Sequence, residues 1–309
     1  MPKPIANQCI VACGRTVDIG TPVVLWNQPG GYRCPHPRGR SGCHQHDPEW
    51  NDAPTHPFDT YQIANTEHAL EELKQAVHQL ILHYDVCYTS HHCHDVLQQS
   101  AAMGSHFYLD LDGTLYQTCD LYWKTNTAPA DDGKGNERSI HVEMANLSWQ
   151  ARAEESDLYH AKQDLYVRHG KRWRLQLPDA YRNTLRTPGF HAHPARAHGE
   201  RGYFSRRING RIVRMWDFTE EQYQALIRLC IGVHELFDGH FPLKVPLDKN
   251  TGRTPLDRLR NFASFRGILG HAHVQAGTAP GVKCKYDPGS AFDWGRLRRA
   301  FEAYRRNAS

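Results

Sequence analysis

At 309 residues, with 39% hydrophobic and 23% charged side chains, the chain has enough apolar content to bury a core and is not disordered by composition. A net charge of +4 excludes nucleic-acid binding by bulk electrostatics, and no apolar run of roughly eighteen residues is present to cross a membrane. The 21 histidines, several times ordinary usage, point instead to metal or proton chemistry.

In chain order, residues 1–62 read as an irregular extension rich in Pro, Gly, His and Cys, packed on a core domain of residues 63–309. Within the extension, Arg15 to Trp26 reads as one hairpin and Pro35 to Pro57 as loop. The apolar stretch Cys9 to Cys13 is too short for a secretion signal, so a cytoplasmic location is the default expectation, with signal-independent export as the other route. Cys9-x3-Cys13 and Cys34-x8-Cys43, flanked by His36, His44 and His46, lack the two-residue spacing of zinc knuckles, so plain thiols are expected there. Thr66 is placed to cap a helix carrying Leu70, Leu73, Ala76 and Val77 at helical spacing. Leu80 to Tyr84 reads as a buried strand and Val96 to Met103 as a helix. His106 to Gln117 reads as a hairpin turning at Asp112-Gly113.

Ser139 to Asn146 alternates, with Ile140, Val142 and Met144 on one strand face and His141 and Glu143 on the other. Residues 147 to 200 resist assignment. Tyr203 to Trp216 holds Asn209-Gly210 between strand-like runs, a second hairpin signal. Thr219 and Gln222 form a capping box at the head of a helix reaching Phe237. Phe265 to Gly270 feeds a strand end, and Asp293 to Arg306 closes the chain as a helix. Strands interleaved with helices and hairpins predict an α/β fold with a mixed central sheet flanked by helices.

Three segments hold metal-ligand residues at strand ends: His83 in ILHYD, His271 and His273 in GHAH, and Asp287 in KYDPG. Two imidazoles and one carboxylate would leave a zinc ion its open fourth position. Taken singly, each also fits a plainer role, as a hydrogen-bonded core histidine or a turn aspartate.

In order, ILHYD, SHFYLDLDGTLYQ, NERSIHVE, GHAHV and KYDPGSAFDW resemble the zinc-dependent N-acetylmuramoyl-L-alanine amidases, the amidase-2 group akin to peptidoglycan-recognition proteins and phage T7 lysozyme. The likeness spans about residues 65 to 146 and 219 to 305, leaving residues 147–216 as a large insertion. It implies one catalytic Zn2+ held by His83, His271 and Asp287, with His271 favoured over its neighbour His273. It further implies that Glu143 moves the proton and that Lys285 stabilises the oxyanion as the muramoyl–L-alanine amide is hydrolysed in peptidoglycan or a muropeptide. Trp123, Asn136 and His106 are placed on the substrate side, and Cys87 and Cys93 match a disulfide common among the recognition proteins. Lys124 follows Trp123 where the family often has histidine, Ser105 and His106 stand where some members carry a catalytic tyrosine, and the stretch from His271 to Asp287 is long for the family.

A peptidoglycan-binding module without activity is disfavoured because all three ligand positions are filled. The insertion carries 11 Arg and one Lys against Asp179 and Glu200 between Arg168 and Arg214, and a salt-bridged face is the favoured reading over a nucleic-acid stripe. A monomer is the default expectation.

Overall fold

Cys13 and Gly14, with φ of 51° and 72°, reverse the chain so tightly that strand β1 (Asn7–Ala12) lies antiparallel to strand β2 (Arg15–Leu25). This computed structural model describes residues 7–34, 66–99, 103–150 and 165–308. The hairpin expected inside Arg15–Trp26 is thus one arm of a different hairpin, and part of the segment read as irregular is sheet. Pairing jumps from Cys9–Asp18 to Asn7–Val23, so Ile19 to Pro22 bulges out of the ladder instead of turning it. The Pro35–Pro57 loop, Cys43, His36, His44 and His46 lie outside the described residues.

Helix α1 (Thr66–Ala76) starts where expected and buries Ala69, Leu70 and Leu73. Strand β3 (Gln79–Tyr84) is buried along its whole length. Helix α2 (Ser90–Gln99) begins six residues before the expected Val96, and Met103 lies beyond it. The cause is Thr89, whose carbonyl accepts from the Cys93 amide at 3.1 Å while its hydroxyl accepts from the His92 amide at 3.4 Å. Strands β4 (Phe107–Leu109) and β5 (Leu115–Gln117) form the expected hairpin, with Gly113 at φ 80°. The single turn α3 (Gly135–Arg138) leads into β6 (Ser139–Met144), and β7 (Ser148–Gln150) opens the insertion.

The insertion continues through β8 (Tyr166–His169), β9 (Arg172–Leu175), the short helix α4 (Asp179–Arg182), β10 (Phe204–Ile208) and β11 (Arg211–Met215). Strands β10, β11 and β7 make a small antiparallel sheet, and β8 pairs with β9. Tyr166 and Trp216 stack at 4.2 Å within a second apolar cluster that includes Leu175, Leu177 and Leu185. Several insertion arginines have local partners: Arg196 bonds the Asp217 carboxylate at 2.7 Å, Arg168 lies over Trp173, and Arg211 lies over Tyr286.

Helix α5 (Glu220–Leu236) carries the expected capping box, Thr219 Oγ1 accepting from the Gln222 amide at 3.1 Å and Gln222 Oε1 from the Thr219 amide at 3.0 Å. Such a cap contributes about 1 kcal/mol. Gly232 lets α5 touch β2, since a Cβ there would stand 2.2 Å from Ile19 Cγ2. Strand β12 (Gly267–Gly270), the single turn α6 (His271–Val274) and helix α7 (Trp294–Ala308) complete the fold.

The central mixed sheet has the order β1-β2-β5-β4-β6-β3-β12. Strands β4, β6, β3 and β12 run parallel, so their carboxyl ends open on one side. The alternating β6 was expected to show one polar face, yet all six of its residues are buried, as is usual for a central strand among parallel neighbours. No described helix is long and apolar enough to cross a membrane.

Candidate metal centre

Register builds the centre. His83 of β3 pairs with Glu143 of β6, and Leu82 pairs with Gly270 of β12, so His271, His83 and Glu143 follow one row across three parallel strand ends. Asp287 joins from a loop. Its Oδ2 lies 3.1 Å from His83 Nδ1 and 3.2 Å from His271 Nδ1, and the two imidazole rings meet edge-on at 4.5 Å. The three ligand atoms lie within 4.8 Å of one another and all three residues are buried. Gly270 permits this closeness: a Cβ there would come within 2.3 Å of Pro288 Cδ. The Ala272 amide donates to the Asp287 carbonyl at 2.9 Å, tying the loop to the helical turn that bears His271.

His271 and His273, both placed at a strand end by the sequence, lie instead in the helical turn α6, which begins at His271. His273 Nδ1 accepts from the Gly270 amide at 2.9 Å and its Nε2 donates to the Pro255 carbonyl at 2.7 Å, which commits both nitrogens to the backbone. Burial pulls the His273 pKa down to about 4, so it stays neutral.

The donor set fits a divalent cation. Gln275 Nε2 donates to the Lys283 carbonyl at 2.8 Å, which turns Gln275 Oε1 toward His271 Nε2 at 3.1 Å. That acceptor favours the tautomer with the proton on Nε2, which leaves the Nδ1 lone pair on the side of the Asp287 carboxylate. Burial, with the neighbouring His271, lowers His83 to about 4, so the His83 ring is neutral. Burial alone would raise Asp287, but His271 and His83 beside it hold its carboxyl far below the usual range. Two imidazoles facing a carboxylate make the N, N, O set that zinc takes, with a neighbouring partner orienting each ring.

The centre sits in a cleft of about 270 Å³ whose walls include Glu143, Lys285, Asn126 and Thr127. Glu143 Oε1 is 3.9 Å from His83 Nδ1. Burial, together with the carboxylates of Asp85 and Asp287, pushes the Glu143 pKa well up, and Lys285 opposes the shift.

Trp123, Asn136 and His106 do not line this cleft. Trp123 is buried in the main core, and His106 donates from Nε2 to the Trp123 carbonyl at 2.9 Å while its Nδ1 accepts from the His141 amide at 3.1 Å. Asn136 Oδ1 accepts from the Thr127 and Ala128 amides at 3.1 and 2.8 Å, so it shapes the wall rather than forming it. Cys87 and Cys93 are adjacent but are free thiols, without the expected bridge.

Sequence reading missed two supports. His141 Nδ1 lies 3.3 Å from His83 Nε2, behind the ligand ring. Asn209, at the tip of the β10–β11 hairpin, donates from Nδ2 to the Ala272 carbonyl at 3.0 Å and to the Lys285 carbonyl at 2.8 Å. The Asn-Gly signal announced the turn, but nothing local to it announced these distant partners.

The family model described as N-acetylmuramoyl-L-alanine amidase matches residues 73–290. No curated protein shows a significant match. Among solved structures, the chain is similar to a selenomethionine derivative of AmpD at 13% identity, covering 89% of this chain and 97% of that one with a TM-score of 0.37. It is also similar to AmpDh3 from Pseudomonas aeruginosa, solved in complex with anhydromuramic pentapeptide, at 14% identity, covering 80% of this chain and 66% of that one with a TM-score of 0.38.

Proposed function

The chain belongs to the N-acetylmuramoyl-L-alanine amidases, enzymes acting on peptidoglycan, and on that premise we propose a zinc-dependent hydrolysis of the amide joining the lactyl group of N-acetylmuramic acid to L-alanine. The observation that carries the zinc reading is the convergence of His83 Nδ1 and His271 Nδ1 on Asp287 Oδ2 at 3.1 and 3.2 Å. His83, His271 and Asp287 would hold the ion, which when bound supplies Lewis acidity to water and to the amide carbonyl.

The remaining steps belong to side chains of the cleft. The Glu143 carboxylate takes a proton from the attacking water and delivers it to the departing amine nitrogen. The Lys285 ammonium faces the same cleft and offsets the negative charge that develops on the carbonyl oxygen. Gln275 and His141 keep the ligand rings oriented from behind.

Incubation with purified peptidoglycan should release peptides bearing a new N-terminal L-alanine, cease after chelation and resume with added zinc. His271→Ala should lose the ion and the activity, whereas His273→Ala should keep the ion wherever it folds. Full activity in chelator-stripped protein would sink zinc dependence, and peptides lacking that new terminus would sink the bond assignment.

A further inference from the structure

A second cluster of ligating side chains opens on the same cleft and shares no side chain with the first. Asp85 follows the end of β3, Cys87 lies two residues on, and Cys93 sits in the first turn of α2; all three line the cleft. Their ligand atoms lie within 4.8 Å of one another. One Asp85 oxygen is fixed: Oδ1 accepts from the Cys87 amide at 2.9 Å and the Asn146 amide at 3.1 Å. The other, Oδ2, is buried with no hydrogen-bond partner. A carboxylate oxygen held this way is costly unless a cation or proton meets it. The thiols of Cys87 and Cys93 touch each other beside it.

The backbone between them is strained. Val86 has φ 55° although it is β-branched, and its side chain is 37% exposed. This left-handed conformation holds at a β-branched residue only where the surrounding structure imposes it. It folds Asp85 and Cys87 toward one point while leaving an apolar side chain at the cleft wall.

We propose that Asp85, Cys87 and Cys93 form a second cation site in the cleft wall, selective for a soft divalent ion such as Zn2+ or Cd2+. Two sulfurs and one oxygen favour such ions over Mg2+ or Ca2+, which prefer oxygen shells. On binding, the two thiols release their protons to solvent and the ion takes their place against Asp85 Oδ2. The site stands independently of the amidase reading, because none of its ligands is shared with His83, His271 and Asp287.

The test is a Cd2+ titration of the metal-free full chain, with thiols kept reduced under argon, following sulfur-to-cadmium ultraviolet absorption and bound equivalents. The wild type should bind two equivalents, one of them with the thiolate absorption. C87S/C93S should bind one equivalent without that absorption, and H83A/H271A one equivalent with it. D85N preserves an acceptor for both backbone amides and so guards against simple misfolding; it should weaken the thiolate equivalent by about tenfold or more. A single equivalent without thiolate absorption in the wild type, or undiminished absorption in C87S/C93S, overturns the proposal. A folded D85N that binds the thiolate equivalent as tightly as the wild type removes Asp85 from it.

Discussion

Glu143 occupies a position where burial and function pull in opposite directions. A buried carboxyl close to Asp85 and Asp287 resists ionisation, and the nearby Lys285 partly counters them. Such a group favours the protonated form, which suits the delivery of a proton to a departing amine. Glu143→Gln should therefore keep its zinc equivalent and its melting temperature while turnover falls by about 10²–10⁴-fold. Near-normal turnover in that variant, measured on muropeptide under saturating conditions, would remove Glu143 from the chemistry. At this scale the residues that the structure brings together, His83, His271, Asp287 and Glu143, could be picked out through short motifs, because fixed spacings survive in sequence. Trp123, Asn136 and His106 were misplaced because their neighbours come from distant segments: His106 is fixed by Trp123 and by the backbone of His141.

At the scale of elements, the β10–β11 hairpin braces the ligand loops. Ile208 and Val213 pack with Ala272 and Tyr286, while Asn209 donates to carbonyls on either side of the His271–Asp287 pair. Asn209→Gly keeps a residue at ease with φ 44° and deletes the two donated bonds together with the Oδ1 that accepts from the Arg258 amide at 2.9 Å. Hydrogen bonds of this kind contribute roughly 0.5–1.5 kcal/mol each. The variant should melt at a lower temperature and surrender zinc to a chromophoric chelator several-fold faster than the wild type. An unchanged release rate would show that the hairpin only decorates the loops. Both Asn-Gly and Asp-Gly turns and the Thr219–Gln222 cap could be read beforehand because each is decided within four residues. The start of α2, the bulge in β2 and the two-sided burial of β6 could not, since each depends on a partner far along the chain.

For the whole molecule, the N-terminal segment is fastened to the core through His94 of α2. Its ring stacks on Tyr32 at 4.7 Å and its Nε2 meets the Arg33 carbonyl at 3.0 Å. Burial lowers the His94 pKa below its ordinary value, although the Arg33 carbonyl opposes the shift. The folded state thus binds fewer protons than the unfolded chain as pH falls below about 6.5, and stability declines with acid. The contribution is present above the unfolded pKa and is lost on descent toward the lower folded value. Melting temperatures from about pH 7.5 to about 5.5 should fall less steeply in His94→Gln than in the wild type. Parallel slopes would mean that other groups govern the acid limb.

The cross-strand row also divides the site by mobility. His83 and Glu143 are carried by hydrogen-bonded central strands, and His271 stands at the end of β12; only Asp287 rides on a loop. His83 and Glu143 should therefore move only with the sheet, and Asp287 would govern how long a bound ion stays. Amide hydrogen exchange in the metal-free protein should show residues 80–83 protected to the limit of global unfolding while residues 285–287 exchange through smaller openings. Binding of an ion should then slow exchange in the loop far more than in the strand, the outcome expected if the affinity of the centre depends on how seldom one loop swings away.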